Sequence, residues 1–349
     1  MESERCTRVE WIDFAKCIAI LLVIIGHVLS WSHPQYKAVY IAIYSMHMPF
    51  FFMLSGLTFS VKKEETVSKF IKRKAKTIFP PLFLFCGIEV FFQVLFENLL
   101  SRLSVKFVIE SLLFMNGGAF SKYWFLPALF VAEIILFGVF RLFDNLKCRT
   151  FVTALIGLGG GTLSYYLNYH LPLHFESAVF AVLFIYSGIL IKKIILGKSV
   201  RAKSAICIGT GLVFVITNIV MLPRYDITDD VFSMTFRNPI LFLITAFSGS
   251  ICLLILCSTQ DKKSIFTEIG RQTLYIYGFH YSIFGILRRV EFKILHLQNY
   301  LPDSALALIE FTVTLVTAYF CAKVWLYILS SKRHTAENER LQRQHSERK

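Results

Sequence analysis

Acidic residues are few in this sequence, and charge of either sign is sparse. Asp and Glu number 23 against 37 Lys and Arg, and all four together make up 17% of the 349 residues. The surface of a soluble domain is about a quarter or more charged, so an ordinary soluble fold is a poor match. No CxxC pair occurs among the eight cysteines. Cys17, Cys86, Cys207, Cys252, Cys257 and Cys321 fall inside apolar runs, and Cys6 and Cys148 lie near run ends. That scatter gives neither a disulfide framework nor a metal site and reads as buried, inert thiols. HExxH and similar ligand spacings are missing, so no metal is expected. Short alternating segments are missing too, which argues against a β-barrel. After the first apolar run comes SWSHPQYK, with no small-residue cleavage site. The first run is therefore read as retained rather than as a cleaved signal.

Apolar surface is what the chain has in excess. Hydrophobic residues make up 55% of it, Phe alone occurs 35 times, and mean hydropathy is +0.59. Apolar runs long enough to cross a hydrocarbon core of roughly 30 Å recur from end to end. The reading is an all-α polytopic membrane bundle of about ten transmembrane helices, at 11–30, 39–61, 79–100, 124–143, 151–169, 178–196, 205–222, 239–257, 269–287 and 305–330. Gly157, Gly159, Gly160 and Gly161 weaken the fifth as a helix, though glycine also permits close packing in a membrane. The membrane domain is expected over 1–330, with a polar cytoplasmic tail at 331–349.

Lys and Arg set the orientation. Seventeen lie in or beside the connections after the even-numbered segments, against nine after the odd-numbered ones. Both termini are therefore expected in the cytoplasm. The net charge of +14 mostly reflects this bias, and its spread over many loops argues against nucleic-acid binding. The densest basic stretch, KKEETVSKFIKRKAK at 62–76, reads first as a topology anchor on anionic lipid. Its sharper reading is a phosphate-binding rim.

Three polar residues interrupt the first segment, WIDFAKCIAILLVIIGH: Asp13, Lys16 and His27. At about 100° per residue, Lys16 and His27 point within roughly 20° of each other, and Asp13 lies about 60° from Lys16. Lys16 sits some 16 Å from His27 along the axis. Charge in lipid is costly, so the stripe should face the bundle interior or a wet cavity. The plain alternative is a local Asp13–Lys16 ion pair, with Lys16 snorkelling and His27 held between packed helices. The second segment adds His47 and Pro49, and Pro49 has no N–H for the carbonyl of Ser45, so the helix should open there. Ser55 and Gly56 follow, small enough for close packing. Trp124, Glu133 and His280 complete the polar and aromatic candidates. Such groups serve an enzyme or a proton-relaying transporter equally well.

Taken in order, RVEWIDFAKCIAILLVIIGH, HMPFFFMLSG, KRKAKTIFPPLF, YWFL and IYGFHYSIF resemble the acyltransferase 3 family of integral membrane acyltransferases, nearest its fucose 4-O-acetylase-like branch. The resemblance spans the first to the ninth segment. It implies ten transmembrane helices and transfer of an acyl group, usually acetyl, from acetyl-CoA to a sugar hydroxyl of a cell-envelope glycan or its lipid-linked precursor. It also implies the bacterial inner membrane, acetyl-CoA as co-substrate rather than a bound cofactor, a carbohydrate or glycolipid acceptor, and glycan-synthesis proteins as partners. The family's basic residue followed by ten residues and His falls on Lys16 and His27. Lys stands where many members have Arg, which keeps the charge but loses the bidentate fork. The family's Arg-x-x-Arg falls on Arg73 and Lys76, and its Phe-Ser-Gly on Leu54, Ser55 and Gly56. No fused esterase-like domain is expected.

The mechanism so implied places CoA phosphates on Arg73, Lys76 and Lys72, with His27 as general base on the sugar hydroxyl or as an acyl carrier. Asp13 orients Lys16. His47, Ser55, Trp124, Glu133 and His280 are acceptor-binding or supporting residues. The outer-side loops at 101–123 and 223–238 are expected to select the acceptor, and Asp226, Asp229 and Asp230 either bind it or are solvated. The rival reading is a transporter or flippase for a glycan intermediate, for which no two-fold internal repeat is evident. A structural partner in polysaccharide synthesis would leave the polar stripe without a role.

Overall fold

The computed structural model describes residues 9–96, 104–114, 120–167, 171–221 and 230–346. They divide into two compact units, Met1–Arg271 and Gln272–Lys349. The protein is an all-α, polytopic membrane protein. No strand forms among the described residues, apart from an isolated bridge between Asp230 and Thr235.

The first unit holds α1 (Glu10–Ser32), α2 (Lys37–Tyr44), α3 (His47–Thr58), α4 (Val67–Phe96), α5 (Val105–Phe114), α6 (Phe125–Leu142), α7 (Leu146–Ala154), α8 (Gly160–Leu167), α9 (Phe175–Leu196), α10 (Val200–Met221), α11 (Pro239–Cys257) and α12 (Ile265–Arg271). The second holds α13 (Thr273–Arg289), a π-helical turn at Val290–Leu295 and α14 (Asp303–Ser346). Among the described residues, eight helical stretches are long and apolar enough to cross a membrane. Two expected segments fall short of that measure. The glycine-rich fifth is α7 and α8 joined by a π turn at Leu155–Gly159. The ninth breaks at Gln272 into the short α12 and the 17-residue α13.

Proline sets the second break. Pro49 leaves the carbonyl of Ser45 without its helical donor, and the chain departs from helix at Ser45 and Met46 before resuming as α3. Pro80 and Pro81 are instead accommodated inside the 30-residue α4.

Glycines set how closely the helices approach. A Cβ on Gly56 would lie 2.0 Å from the carbonyl oxygen of Ile185, and one on Gly188 would lie 2.0 Å from that of Met53, so α3 and α9 touch backbone to backbone. Lys192, at the far end of α9, donates to the carbonyl of Leu57 at 2.9 Å and so caps the last turn of α3. Helix α10 behaves differently. Ile208, Leu212, Ile216 and Val220 are exposed on it, the pattern of a lipid-facing helix, and it packs mainly on α11.

Candidate functional site

The polar stripe of α1 exists, and its two ends have different chemistry. At one end Asp13 is buried. Lys16 lies 3.4 Å from Asp13 Oδ1, and Arg271 Nε lies 3.4 Å from Asp13 Oδ2. Arg271 also pairs with Glu10, and with Glu268 at 2.7 Å. Gly270 makes this reach possible, because a Cβ there would sit 1.7 Å from the carbonyl oxygen of Asp13. With Lys263 3.6 Å from Glu268, the end is a network of three carboxylates and three cations.

At the other end, His27 is partly buried and bonds to a tyrosine hydroxyl. Its Nδ1 is 3.1 Å from Tyr44 Oη. Tyr44 Oη is 3.2 Å from Ser30 Oγ, and Ser30 donates to the carbonyl of His27 at 3.3 Å. The neighbouring Gly26 leaves room for the Tyr44 ring, since a Cβ there would come within 3.3 Å of it. Trp31 and Tyr44 stand edge-on to the imidazole, at centroid distances of 6.2 and 6.1 Å. A hydrogen bond at Nδ1 fixes the ring orientation and selects which nitrogen carries the proton.

His47 lies behind this group, its ring 4.8 Å from that of Tyr44. Its Nδ1 is 3.0 Å from the carbonyl oxygen of Ile43. That carbonyl also accepts from the Met46 amide at 3.1 Å, so His47 is a second partner for it beside the helix break. His280, in the second unit, has its Nδ1 2.6 Å from the carbonyl oxygen of Tyr277, one turn back in its own unbroken helix. Ser55 donates to the carbonyl of Phe51 at 3.1 Å, within its own helix.

The basic segment is more committed than its sequence suggests. Arg73 donates to both oxygens of Glu65, through Nε at 2.7 Å and Nη2 at 2.9 Å. This bond holds the Glu65 carboxyl below the usual carboxylate range. Arg141 donates to the carbonyls of Lys62, Lys63 and Glu65 at 2.8, 2.7 and 2.5 Å, pinning the same connection from α6. Lys72 and Lys76 are exposed. Lys74 turns inward to Glu133 at 2.6 Å, so Glu133 is the buried half of an α4–α6 ion pair.

Trp124 packs against His174 and Phe232, with ring centroids at 5.6 and 5.8 Å. His174 is buried, with Nδ1 3.3 Å from Glu176 Oε1. Asp230 accepts from the amide of Phe232 at 3.0 Å, and burial raises its carboxyl above the usual range. Leu173, His174 and Met234 all hold positive φ beside this cluster, a backbone strain that the packing must hold in place. Asp226 and Asp229 lie outside the described residues.

The structure thus joins Asp13 with Lys16, and Arg73 and Glu133 each with an opposite charge. His27 and His47 share Tyr44. Trp124 belongs to the His174–Phe232 cluster, whose Asp230 carboxyl is within electrostatic reach of Tyr44. Sequence reasoning missed Tyr44, Arg271, Glu65 and Lys74. For Lys74 a signal existed: Phe70, Lys74, Ile78 and Leu82 recur every four residues, and Phe70, Ile78 and Leu82 are buried. Among the described residues no His, Cys, Asp or Glu group is arranged to hold a metal ion.

This arrangement coincides with the reach of a known domain. The family model for the acyltransferase domain, acyltransferase 3, matches residues 9–328. The chain is similar to Nodulation protein NolL of Mesorhizobium japonicum, 24% identical over 307 residues, covering 80% of this chain and 78% of the relative. It is also similar to Nodulation protein NolL of Sinorhizobium fredii, 25% identical over 301 residues, covering 80% and 79%. No solved structure matches the chain. Because the match runs from the start of α1 into α14, the chain belongs to the acyltransferase 3 family and is a multi-pass membrane acyltransferase.

Proposed function

We propose that the protein transfers acetyl from acetyl-CoA to a sugar hydroxyl of a cell-envelope glycan or its precursor, in the bacterial inner membrane. The observation that supports this best is the His27–Tyr44 hydrogen bond at 3.1 Å. With Nδ1–H donating to Tyr44 Oη, the imidazole lone pair is at Nε2. His27 Nε2 takes the proton of the acceptor hydroxyl as its oxygen attacks the thioester carbonyl carbon. The C–S bond breaks, and the imidazolium returns the proton to the CoA sulfur. Proton transfer of this kind contributes typically 10²–10⁴-fold.

Lys72 and Lys76 supply the exposed charge for the CoA phosphates. Arg73 is a positioning residue in this scheme, since two of its nitrogens already serve Glu65. Asp13, Lys16 and Arg271 anchor the inner end of α1 and keep the stripe in register.

The test uses purified protein in liposomes, acetyl-CoA labelled in its acetyl group and an envelope glycan extract. Label is expected in glycan with the wild type and not with His27→Ala. Equal labelling by a folded His27→Ala would remove His27 as the base. A wild type that consumes no acetyl-CoA would overturn the choice of donor.

A further inference from the structure

The sequence reads its cysteines as separate, inert thiols, but the fold brings two of them together. Cys207 on α10 and Cys252 on α11 are 45 residues apart in the chain, and their Sγ atoms lie 3.6 Å from each other. Both are free thiols, and both are half-buried. The Cys207 thiol also lies 3.8 Å from the carbonyl oxygen of Cys252. Gly211, one turn beyond Cys207, makes room for the contact: a Cβ there would come 3.3 Å from Cys252 Sγ. The Cys252 sulfur therefore sits in a notch of α10, against Cys207.

The place of the pair decides what reacts with it. Both helices are long and apolar enough to cross a membrane. Cys207 lies about 10 Å along the axis from the start of α10, and Cys252 about 8 Å from the end of α11. Ile208, beside Cys207, and Leu256, one turn from Cys252, are exposed, so the lipid-facing surface begins next to the thiols. Glutathione and thioredoxin keep thiols reduced in the aqueous cytosol. Hydrocarbon excludes such water-soluble reductants and admits an apolar oxidant.

We propose that Cys207 and Cys252 form a reversible dithiol–disulfide pair, which reacts with a membrane-dissolved oxidant of the quinone class and, once oxidised, clamps α10 to α11. Both S–H bonds break and one S–S bond forms. The two electrons and two protons pass to the quinone, which leaves as the hydroquinone. The sulfurs close from 3.6 Å to a bond of about 2.05 Å, a movement shared by the side chains and the two helices.

That movement has a path to the acyl-transfer end. Gly249, one turn before Cys252, lies between α10 and the break in the second segment. A Cβ on it would be 2.6 Å from the Phe214 ring and 2.7 Å from Met46 Sδ. Packing this close transmits strain, so a shift of α11 against α10 displaces Met46, the neighbour of His47. Oxidation is therefore expected to slow transfer, a consequence that rests on the acyl-transfer scheme.

The test treats the full-length protein in liposomes with a benzoquinone that carries an alkyl tail and no free ring position, so that it takes electrons without adding to sulfur. Remaining thiols are alkylated and the peptides are mapped by mass spectrometry. Peptides joined through Cys207 and Cys252, and released by a dithiol reductant, are expected. Full alkylation of both cysteines after the quinone, and again after a membrane-permeant diazenedicarboxamide oxidant, would overturn the pair. So would a link from either one to Cys257 in equal yield. The map needs no transfer activity, so it decides the pair even where the acyl-transfer scheme fails. In the same liposomes, transfer of acetyl label to glycan should fall by about 10²-fold on oxidation, the scale of a misplacement of about 1 Å, and recover on reduction. Cys252→Ser, and Cys207→Ser as the second variant, should make transfer insensitive to the quinone. A joined pair with unchanged transfer would overturn the path through Met46.

Discussion

The two ends of α1 lie on one stripe of one helix and solve opposite problems. Around Asp13, charge meets charge: Lys16, Arg271, Glu10 and Glu268 close a network in which the buried carboxylate has cations on two sides. The contacts around His27 include a phenol, a serine hydroxyl bonded to that phenol and aromatic edges, with the Asp230 carboxyl in electrostatic reach of the phenol. A fixed network of ions holds protons in place, because each charge is stabilised by its neighbours. A neutral hydrogen-bonded imidazole can gain or lose a proton without breaking an ion pair. The contrast separates an anchoring end from the end where the proposed scheme puts the reaction.

The largest expected effect tests the reacting end. His27→Ala should lower transfer by about 10²–10⁴-fold, with thermal stability little changed, because no buried charge is orphaned. Glycan labelling and a thermal melt of the same preparation decide it. Unfolding of the variant would show that the His27 end is also an anchor, and the contrast would collapse.

Next in size is the anchoring end. Arg271→Ala takes the guanidinium away from Asp13, whose side chain is 3% exposed, while the partly exposed Lys16 stays beside it. Removing one partner of a buried pair destabilises the fold, and the exposure of Arg271 keeps that loss below the full effect of a buried pair. Asp13→Asn in the same chain should restore most of the lost thermal stability. The pH profile of transfer should not move in Arg271→Ala; a shifted profile would mean that the ion network tunes His27.

Between the ends lies a smaller test. Tyr44→Phe removes one hydrogen bond from His27 Nδ1 and keeps the ring. A net contribution of about 1.4 kcal/mol corresponds to a tenfold fall in kcat, with KM for acetyl-CoA unchanged. An unaltered kcat would show that the imidazole is oriented by packing alone.

How much of this was legible depends on how far apart the partners are in the chain. The alignment of Lys16 with His27 follows from 11 residues of unbroken helix, and α1 is unbroken from Glu10 to Ser32. The opening of the second segment was legible because a missing proline N–H is a local fact. Arg271 was not legible, since it lies 258 residues beyond Asp13 and a single-chain pattern carries no distance between them. The placement of His47 was hidden for another reason: its ring meets Tyr44 and the Ile43 carbonyl only once the chain has turned at Ser45 and Met46. The basic segment misled because charge counts do not show direction. Lys72 and Lys76 point outward, while Lys74 and Arg73 are used by Glu133 and Glu65.

The smallest expected effect concerns that basic segment, which resembles the anchoring end in miniature but sits nearer the surface. Arg73 lowers the pKa of Glu65 in the folded chain. Folded Glu65 therefore binds its proton less readily than the unfolded chain, where a glutamate titrates at about 4.3. The pair stabilises the fold above that pH, and the contribution is lost as pH falls through the lower folded value. Wild-type thermal stability should drop on acidification through this window, and Glu65→Gln should drop less, having already lost the pair at neutral pH. Partial exposure of Arg73 keeps the difference well below that for Arg271→Ala. Parallel curves would mean that Arg141, through its three carbonyl contacts, holds this connection by itself.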